Sequence, residues 1–197
     1  MRRLHSFLRH MSNNPKSPQL IMWYTRPDAP LLEEVPECSV RSYSPGDEEQ
    51  WLALLQANGQ LGAWDRARLD AVLGETHLQY FVECRGCLAA CTGINDRERD
   101  GEPCWEIGWV AVHPDFQGRG LGTLITGAAL ARAVELGRRP IYLLTDDFRV
   151  PALRCYLKLG FVPGDGHASY RERWRAIFAG LGEDYRALIP DFIAEER

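Results

Sequence analysis

Glycines 118, 120 and 122 lie in the stretch Val110-Ala111-Val112-His113-Pro114-Asp115-Phe116-Gln117-Gly118-Arg119-Gly120-Leu121-Gly122-Thr123. A residue without a Cβ takes backbone conformations closed to others, so alternating glycines let successive N–H groups converge on one anion. The apolar residues before the turn read as a strand, and Leu121 to Leu136 reads as a helix whose N-terminal dipole favours the same negative charge. This pattern predicts a seat for a pyrophosphate. Two better-known glycine loops do not fit. A Walker-type loop ends in Gly-Lys-Ser/Thr, whereas Gly122 is followed directly by Thr123. The dinucleotide fingerprint G-x-G-x-x-G calls for a third glycine where Thr123 stands, and no early βαβ unit surrounds the turn. A glycine-rich strand-to-helix turn without a ligand remains the plain alternative.

The strand that feeds the turn is expected over Trp105 to Val112. Its two-residue period puts Glu106, Gly108, Val110 and Val112 on one face, so the Glu106 carboxylate is expected on the Val110/Val112 side. Upstream, Leu20 to Tyr24 and Cys38 to Tyr43 read as short strands. A helix carries Trp51, Leu52, Leu54 and Leu55, and a second covers Ala63 to Leu73. Residues 79–94 read as a hairpin turning at Arg85-Gly86, followed by a charged loop from Asn95 to Glu102. Downstream come an apolar strand at Pro140 to Thr145, a helix from Val150 to Leu159 opened by Pro151 and closed by Gly160, and a strand at Phe161-Val162. Tyr170, Trp174, Ile177 and Phe178 have helical spacing, which predicts a packed helix at 169–181. Residues 1–18 hold prolines, asparagines and basic residues with little apolar pattern and are expected to form a disordered arm. Residues 19–197 then make one domain.

A chain of 197 residues can bury roughly 70% of its unfolded surface in one domain. A formal net charge of −4 without long single-sign runs argues against a nucleic-acid groove or a polybasic membrane patch. No apolar stretch nears the ~20 residues of a spanning helix, and Met1 to Arg9 lacks a signal-peptide core. These features predict a cytoplasmic protein. Cys84-Arg85-Gly86-Cys87 has zinc-knuckle spacing, with Cys91 and Cys104 downstream. The hairpin turn explains that spacing with small apolar residues alone, so neither a metal nor a disulfide is expected.

The segment Gln117-Gly118-Arg119-Gly120-Leu121-Gly122, after Val-Ala-Val and His-Pro, resembles the acyl-CoA signature Q/R-x-x-G-x-G/A of the GCN5-related N-acetyltransferases. A second motif, Ala152-Leu153-Arg154-Cys155-Tyr156-Leu157-Lys158-Leu159-Gly160-Phe161, is similar to that superfamily's late A-x-x-x-Y-x-K-x-G-F helix. The resemblance covers about 38–163. It implies an α/β (α+β) fold with a mixed central sheet flanked by helices. The C-terminal helix departs from it, since family members commonly add a seventh strand there.

The resemblance also implies roles. Backbone groups of Val110, Ala111 and Val112 would pair with the pantetheine arm of acetyl-CoA. The N–H groups from Gly118 through Arg119, Gly120, Leu121, Gly122 and Thr123 would hold its phosphates, with Gln117 framing the turn and Arg119 adding a charged contact. Glu106 would accept the amine's proton through water, and Tyr156 would donate one to the departing thiolate. Each has a plainer reading: an ion pair for Glu106, a packed aromatic for Tyr156. Independently of the resemblance, Asp146 and Asp147 end a strand at its carboxyl end and could hold an acceptor ammonium or cap the next helix, Arg149 could reach a phosphate or an acidic acceptor or lie solvated in a loop, and His113 shapes the turn before Pro114.

The implied activity is acetyl transfer to a primary amine by direct attack in a ternary complex, with acetyl-CoA as donor and no metal. The acceptor is a small molecule or a peptide, and a homodimer is allowed for. A non-catalytic acyl-CoA-binding regulator and a zinc-hairpin interaction module are the alternatives.

Overall fold

The computed structural model describes residues 18–194. The arm expected at 1–18 lies, except for Pro18, outside them. The chain divides into two compact units, one of Arg26–Ile141 and one made of the segments up to Thr25 and from Tyr142 onward.

In the Arg26–Ile141 unit, β2 (Cys38–Ser42), β3 (Thr76–Cys84), β4 (Cys87–Arg99) and β5 (Glu102–Val112) form an antiparallel sheet in that order. Helices α1 (Glu48–Asn58) and α2 (Arg66–Glu75) pack Trp51, Leu54, Leu55 and Leu69 onto one face, against Phe81, Cys91 and Ala111. Helix α3 (Leu121–Glu135) packs Leu121 and Ile125 onto the other, against Val82, Ala90, Val110 and Val112. The β3–β4 hairpin turns at Arg85-Gly86, both left-handed at φ 52° and 79°, as a two-residue turn requires.

The expectations for the charged stretch and for the cysteines fail in this unit. The charged stretch from Asn95 to Glu102 is not a loop, because the ladder runs on from Asn95↔Glu106 to Arg99↔Glu102. It closes at Asp100-Gly101 with φ 55° and 82°. Asp-Gly favours this turn, and the charges mark a ribbon that reaches solvent. The second concerns the cysteines. Cys38 and Cys84 stand directly opposite each other on β2 and β3 and form a disulfide. The hairpin logic placed Cys84 beside a turn but did not register β2 against it.

In the flanking unit, β6 (Ile141–Thr145), β1 (Leu20–Tyr24) and β7 (Phe161–Pro163) lie in that order, with β1 antiparallel to β7 from Met22↔Pro163 to Tyr24↔Phe161. The seventh strand therefore comes from the N-terminal side of the chain. Helix α4 (Val150–Leu159) carries the second motif and ends on left-handed Gly160 at φ 96°. Helix α5 (Tyr170–Leu181) buries Tyr170, Trp174, Ile177 and Phe178, the residues that helical spacing selected. A short α6 (Asp191–Ala194) follows.

Candidate functional site

The glycine turn is built as an open cradle. Pro114–Phe116 form one 3-10 turn, with the Asp115 N–H donating to His113 Nδ1. Gly118 and Gly120 adopt φ 77° and 82°, and a Cβ on either would meet nothing within 4 Å. Conformation rather than crowding requires them to be glycine. Gly120 is also the N-cap of α3, and no side chain caps that helix end. The first-turn N–H groups of α3 have no carbonyl a turn earlier to bond, so an anion at this end meets unpaired donors and the positive end of the dipole. Gly122 differs from the expectation: it lies inside α3 and takes no positive φ. Gln117 Nε2 donates to the Val112 carbonyl at 3.4 Å, and Asn58 Nδ2 at the end of α1 donates to the same oxygen at 3.0 Å. The Arg119 guanidinium lies over the Phe116 ring at 5.2 Å.

Just before this turn β5 is bulged. Gly93 faces Gly108 and Cys91 faces Ala111, so one residue of β4 opposes two of β5, Trp109 and Val110, with Trp109 at φ 56°. The extra residue inverts the alternation beyond it. The expectation that Glu106, Gly108, Val110 and Val112 share a face is therefore wrong. Glu106 and Gly108 lie on the face of Ala111, Cys91 and Phe81 that α1 and α2 cover, whereas Val110 and Val112 lie against α3. The Thr92 hydroxyl donates to the Gly108 carbonyl at 2.9 Å, and the Cys91 thiol reaches the Trp109 carbonyl at 3.5 Å. Burial pushes the Cys91 thiol up to about 12, which leaves it protonated and a poor nucleophile beside the bulge.

Glu106 sits at the edge of a polar cluster. Its Oε2 accepts from Arg97 Nε at 2.9 Å. Its Oε1 faces Gly108, where an added Cβ would lie 3.4 Å from it and 2.8 Å from Asn95 Nδ2. Asn95 and Gln79 are buried at 1% and 5% exposure. Asn95 Nδ2, Asn95 Oδ1, Gln79 Oε1 and Thr76 Oγ1 have no hydrogen-bond partner among the described residues.

The remaining candidates are in the flanking unit. Tyr156 on α4 is 6% exposed, with its ring edge-on to Phe161 at 6.2 Å. Burial raises its phenol well above the usual range, so it carries its proton at neutral pH. Asp146, Asp147 and Arg149 have other work. Asp147 is buried and takes both oxygens to Arg173, at 2.7 to 3.1 Å. Asp146 pairs with Arg149 at 2.9 Å, and Arg149 rather than an aspartate is the N-cap of α4.

The sequence profile of the Acetyltransferase (GNAT) family matches residues 33–161, well over half of the chain. The chain belongs to the GNAT family. Among its GNAT relatives, the mycothiol acetyltransferase of Actinosynnema mirum is 29% identical over 169 residues, covering 79% of this chain and 52% of the relative. The chain spans about half the length of the curated relatives it matches. A GNAT-family protein from Novosphingobium aromaticivorans superposes with a TM-score of 0.60 at 24% identity, covering 75% of this chain and 60% of that one. A GNAT acetyltransferase from Brucella melitensis, solved in complex with acetyl-CoA, gives 0.53 at 21% identity and covers 68% and 97%. The shared fold is the mixed sheet flanked by helices that the two motifs implied.

The sequence pattern of this GNAT chain singles out the turn, Glu106 and Tyr156 as candidates and gives no role to Asn58, Gln79, Asn95 and Trp109, which the structure places beside the turn, the bulge and Glu106. Gln79 and Asn95 stood in stretches assigned to a strand and a loop. The available signal was the pair Gly93 and Gly108, glycines inside strands, which mark a bulge or a close approach. No group of three or more His, Cys, Asp or Glu that could hold a metal ion occurs among the described residues. None of their helices is long and apolar enough to cross a membrane.

Proposed function

We propose that this protein is an acetyl-CoA-dependent N-acetyltransferase in which residues 19–197 act as one catalytic domain. The observation that carries the reading is the uncapped N-terminus of α3 behind left-handed Gly118 and Gly120, fed by a strand bulged at Trp109-Val110. The turn suits the pyrophosphate of CoA, with Gln117, Arg119, Leu121, Gly122 and Thr123 around it. The bulge interrupts the ladder beside Val110, Ala111 and Val112, where the pantetheine arm adds like a strand. Glu106 accepts a proton from the acceptor ammonium, the free amine attacks the thioester carbonyl directly, and Tyr156 protonates the departing thiolate. Direct attack is favoured over an acyl-enzyme because Cys91, the cysteine beside the bulge, is held protonated.

The acceptor is a primary amine of a small molecule or peptide. Relatives named mycothiol acetyltransferase support the small-molecule case, and cytoplasmic residence belongs to the same reading. The test is an acetyl-CoA assay against a panel of amines with the native protein, Tyr156→Phe and Glu106→Gln. Thioester cleavage that depends on an amine and falls at least tenfold in both variants is expected. Binding of acetyl-CoA with no amine-dependent turnover would instead make the protein an acyl-CoA-binding regulator.

A further inference from the structure

The buried amides of Asn95 and Gln79 need an explanation. Both stand on the face of the sheet that carries Glu106, in the register Gln79↔Gly93 and Asn95↔Glu106. Each is more than nine-tenths buried, and neither Asn95 amide atom nor Gln79 Oε1 has a partner among the described residues. Buried polar atoms are costly without partners, and native proteins rarely keep several together for no purpose. Two glycines border the cluster. A Cβ on Gly93 would lie 3.0 Å from Gln79 Oε1 and 3.6 Å from Asn95 Oδ1, and one on Gly108 would lie 2.8 Å from Asn95 Nδ2. Side chains at either position would crowd the amides. The same point over Gly108 lies 3.4 Å from Glu106 Oε1, the oxygen that Arg97 does not take.

We propose that Asn95 is a positioning residue which, with Gln79, seats one water molecule against Glu106 Oε1. This rests on the reading of Glu106 as the base and adds to it the residues that hold its proton carrier. The Asn95 N–H donates to the water, and amide oxygen of Asn95 or Gln79 and Glu106 Oε1 accept from it, within the two to four polar partners a buried water requires. The step balances. The acceptor ammonium gives one proton to the water, the water gives one to Glu106 Oε1, and a neutral amine and a protonated Glu106 carboxyl result. Arg97 holds Oε2 and so leaves Oε1 as the oxygen turned to the water.

Two measurements test this on the full chain. A high-resolution crystal structure with acetyl-CoA is expected to show a water within hydrogen-bond distance of Asn95 Nδ2 and Glu106 Oε1, and its absence overturns the proposal. Asn95→Leu and Asn95→Asp, alone and combined with Glu106→Gln, are then assayed with acetyl-CoA and the best amine of the panel. Each single variant is expected to lose roughly tenfold to a hundredfold in kcat, with the KM for acetyl-CoA within about twofold of the native value. In the Glu106→Gln background Asn95→Leu is expected to cost almost nothing more, because the two residues act through one proton path. A structural role would give losses that multiply, and multiplying losses or an unchanged kcat overturn the proposal. Asn95→Asp keeps the shape of the side chain and carries the test if the leucine variant does not fold. Were Glu106→Gln itself silent, the base assignment would fall first, so the two failures are distinguishable.

Discussion

Gly118 and Gly120 differ from Gly122 in the respect that matters to an anion: the first two hold the backbone left-handed, and the third continues a helix. Gly120→Ala meets no steric contact, since nothing lies within 4 Å of the added Cβ, so its whole effect is conformational. An L-residue at φ 82° costs roughly 1–2 kcal/mol. The chain can relieve that cost by turning the peptide that aims at the phosphates. Acetyl-CoA affinity measured by calorimetry is expected to fall at least tenfold in Gly120→Ala, and the same alanine at Gly122 is expected to change it far less. Equal losses at both positions would sink the cradle as described. A second residue governs stability against pH. Asp47 is mostly buried, takes both terminal nitrogens of Arg41 at 2.7 and 2.8 Å, and accepts the Ser44 N–H at 2.7 Å. The bonds from Arg41 hold its carboxyl below the usual carboxylate range. A lowered folded value means the ion contributes stability above the ordinary pKa of about 4 and loses it as pH falls through the lowered value. Asp47→Asn is expected to cost about 2 kcal/mol at pH 7 in urea unfolding. The gap to the native protein should narrow below about pH 4.

At the scale of elements, the helices were the most legible part of the sequence. Val150–Leu159 appeared with its own punctuation, Pro151 and Gly160, and α5 with four aromatic or aliphatic residues at helical spacing. These signals are local, so no knowledge of the rest of the fold is needed to read them. The strands around the site were harder, because what decides them is pairing. The extra residue at Trp109-Val110 becomes visible only once β5 is laid against β4, and it moves Glu106 to the opposite face from Val110 and Val112. The Cys38–Cys84 disulfide follows likewise from the register of β2 on β3. In the flanking unit, a long-range ion pair fastens α5. Arg173 binds Asp147 through Nε and Nη2 and donates to the Pro18 carbonyl through Nη1 at 2.8 Å, with Arg173 and Asp147 at 7% and 3% exposure. Removing one partner strands the other charge in the interior. Arg173→Met is expected to lose about 3–5 kcal/mol in urea unfolding, and Asp147→Leu in that background to recover much of it. An additive second loss would show that the two side chains do not act as a pair.

The most consequential departure from family resemblance is visible only at the scale of the molecule, where the N-terminal side of the chain supplies a strand beside the last one. β1 carries Leu20 and Met22 at 0% exposure and lies between β6 and β7. β7 has only three residues, at the short end of strand lengths, and it pairs with β1 over all three. The Ile21 carbonyl accepts the Gly164 N–H at 2.9 Å, and a Cβ on Gly164 would come within 2.6 Å of Ile21 Cγ2. Composition read these N-terminal residues correctly as a short strand but had no means of placing it, because its partners begin more than a hundred residues later. A chain beginning at Arg26 would keep both sequence motifs and lose the middle strand of the flanking unit. It is expected to bind a hydrophobic dye, lose cooperative unfolding and aggregate, since the cleft left between β6 and β7 would expose apolar side chains and unpaired backbone groups. Gly164→Ala tests the same contact in the full chain and is expected to lower the unfolding midpoint, because the methyl meets β1 below van der Waals distance. If the shortened chain unfolded cooperatively with the native midpoint, the N-terminal strand would be an accessory to this fold instead of part of it.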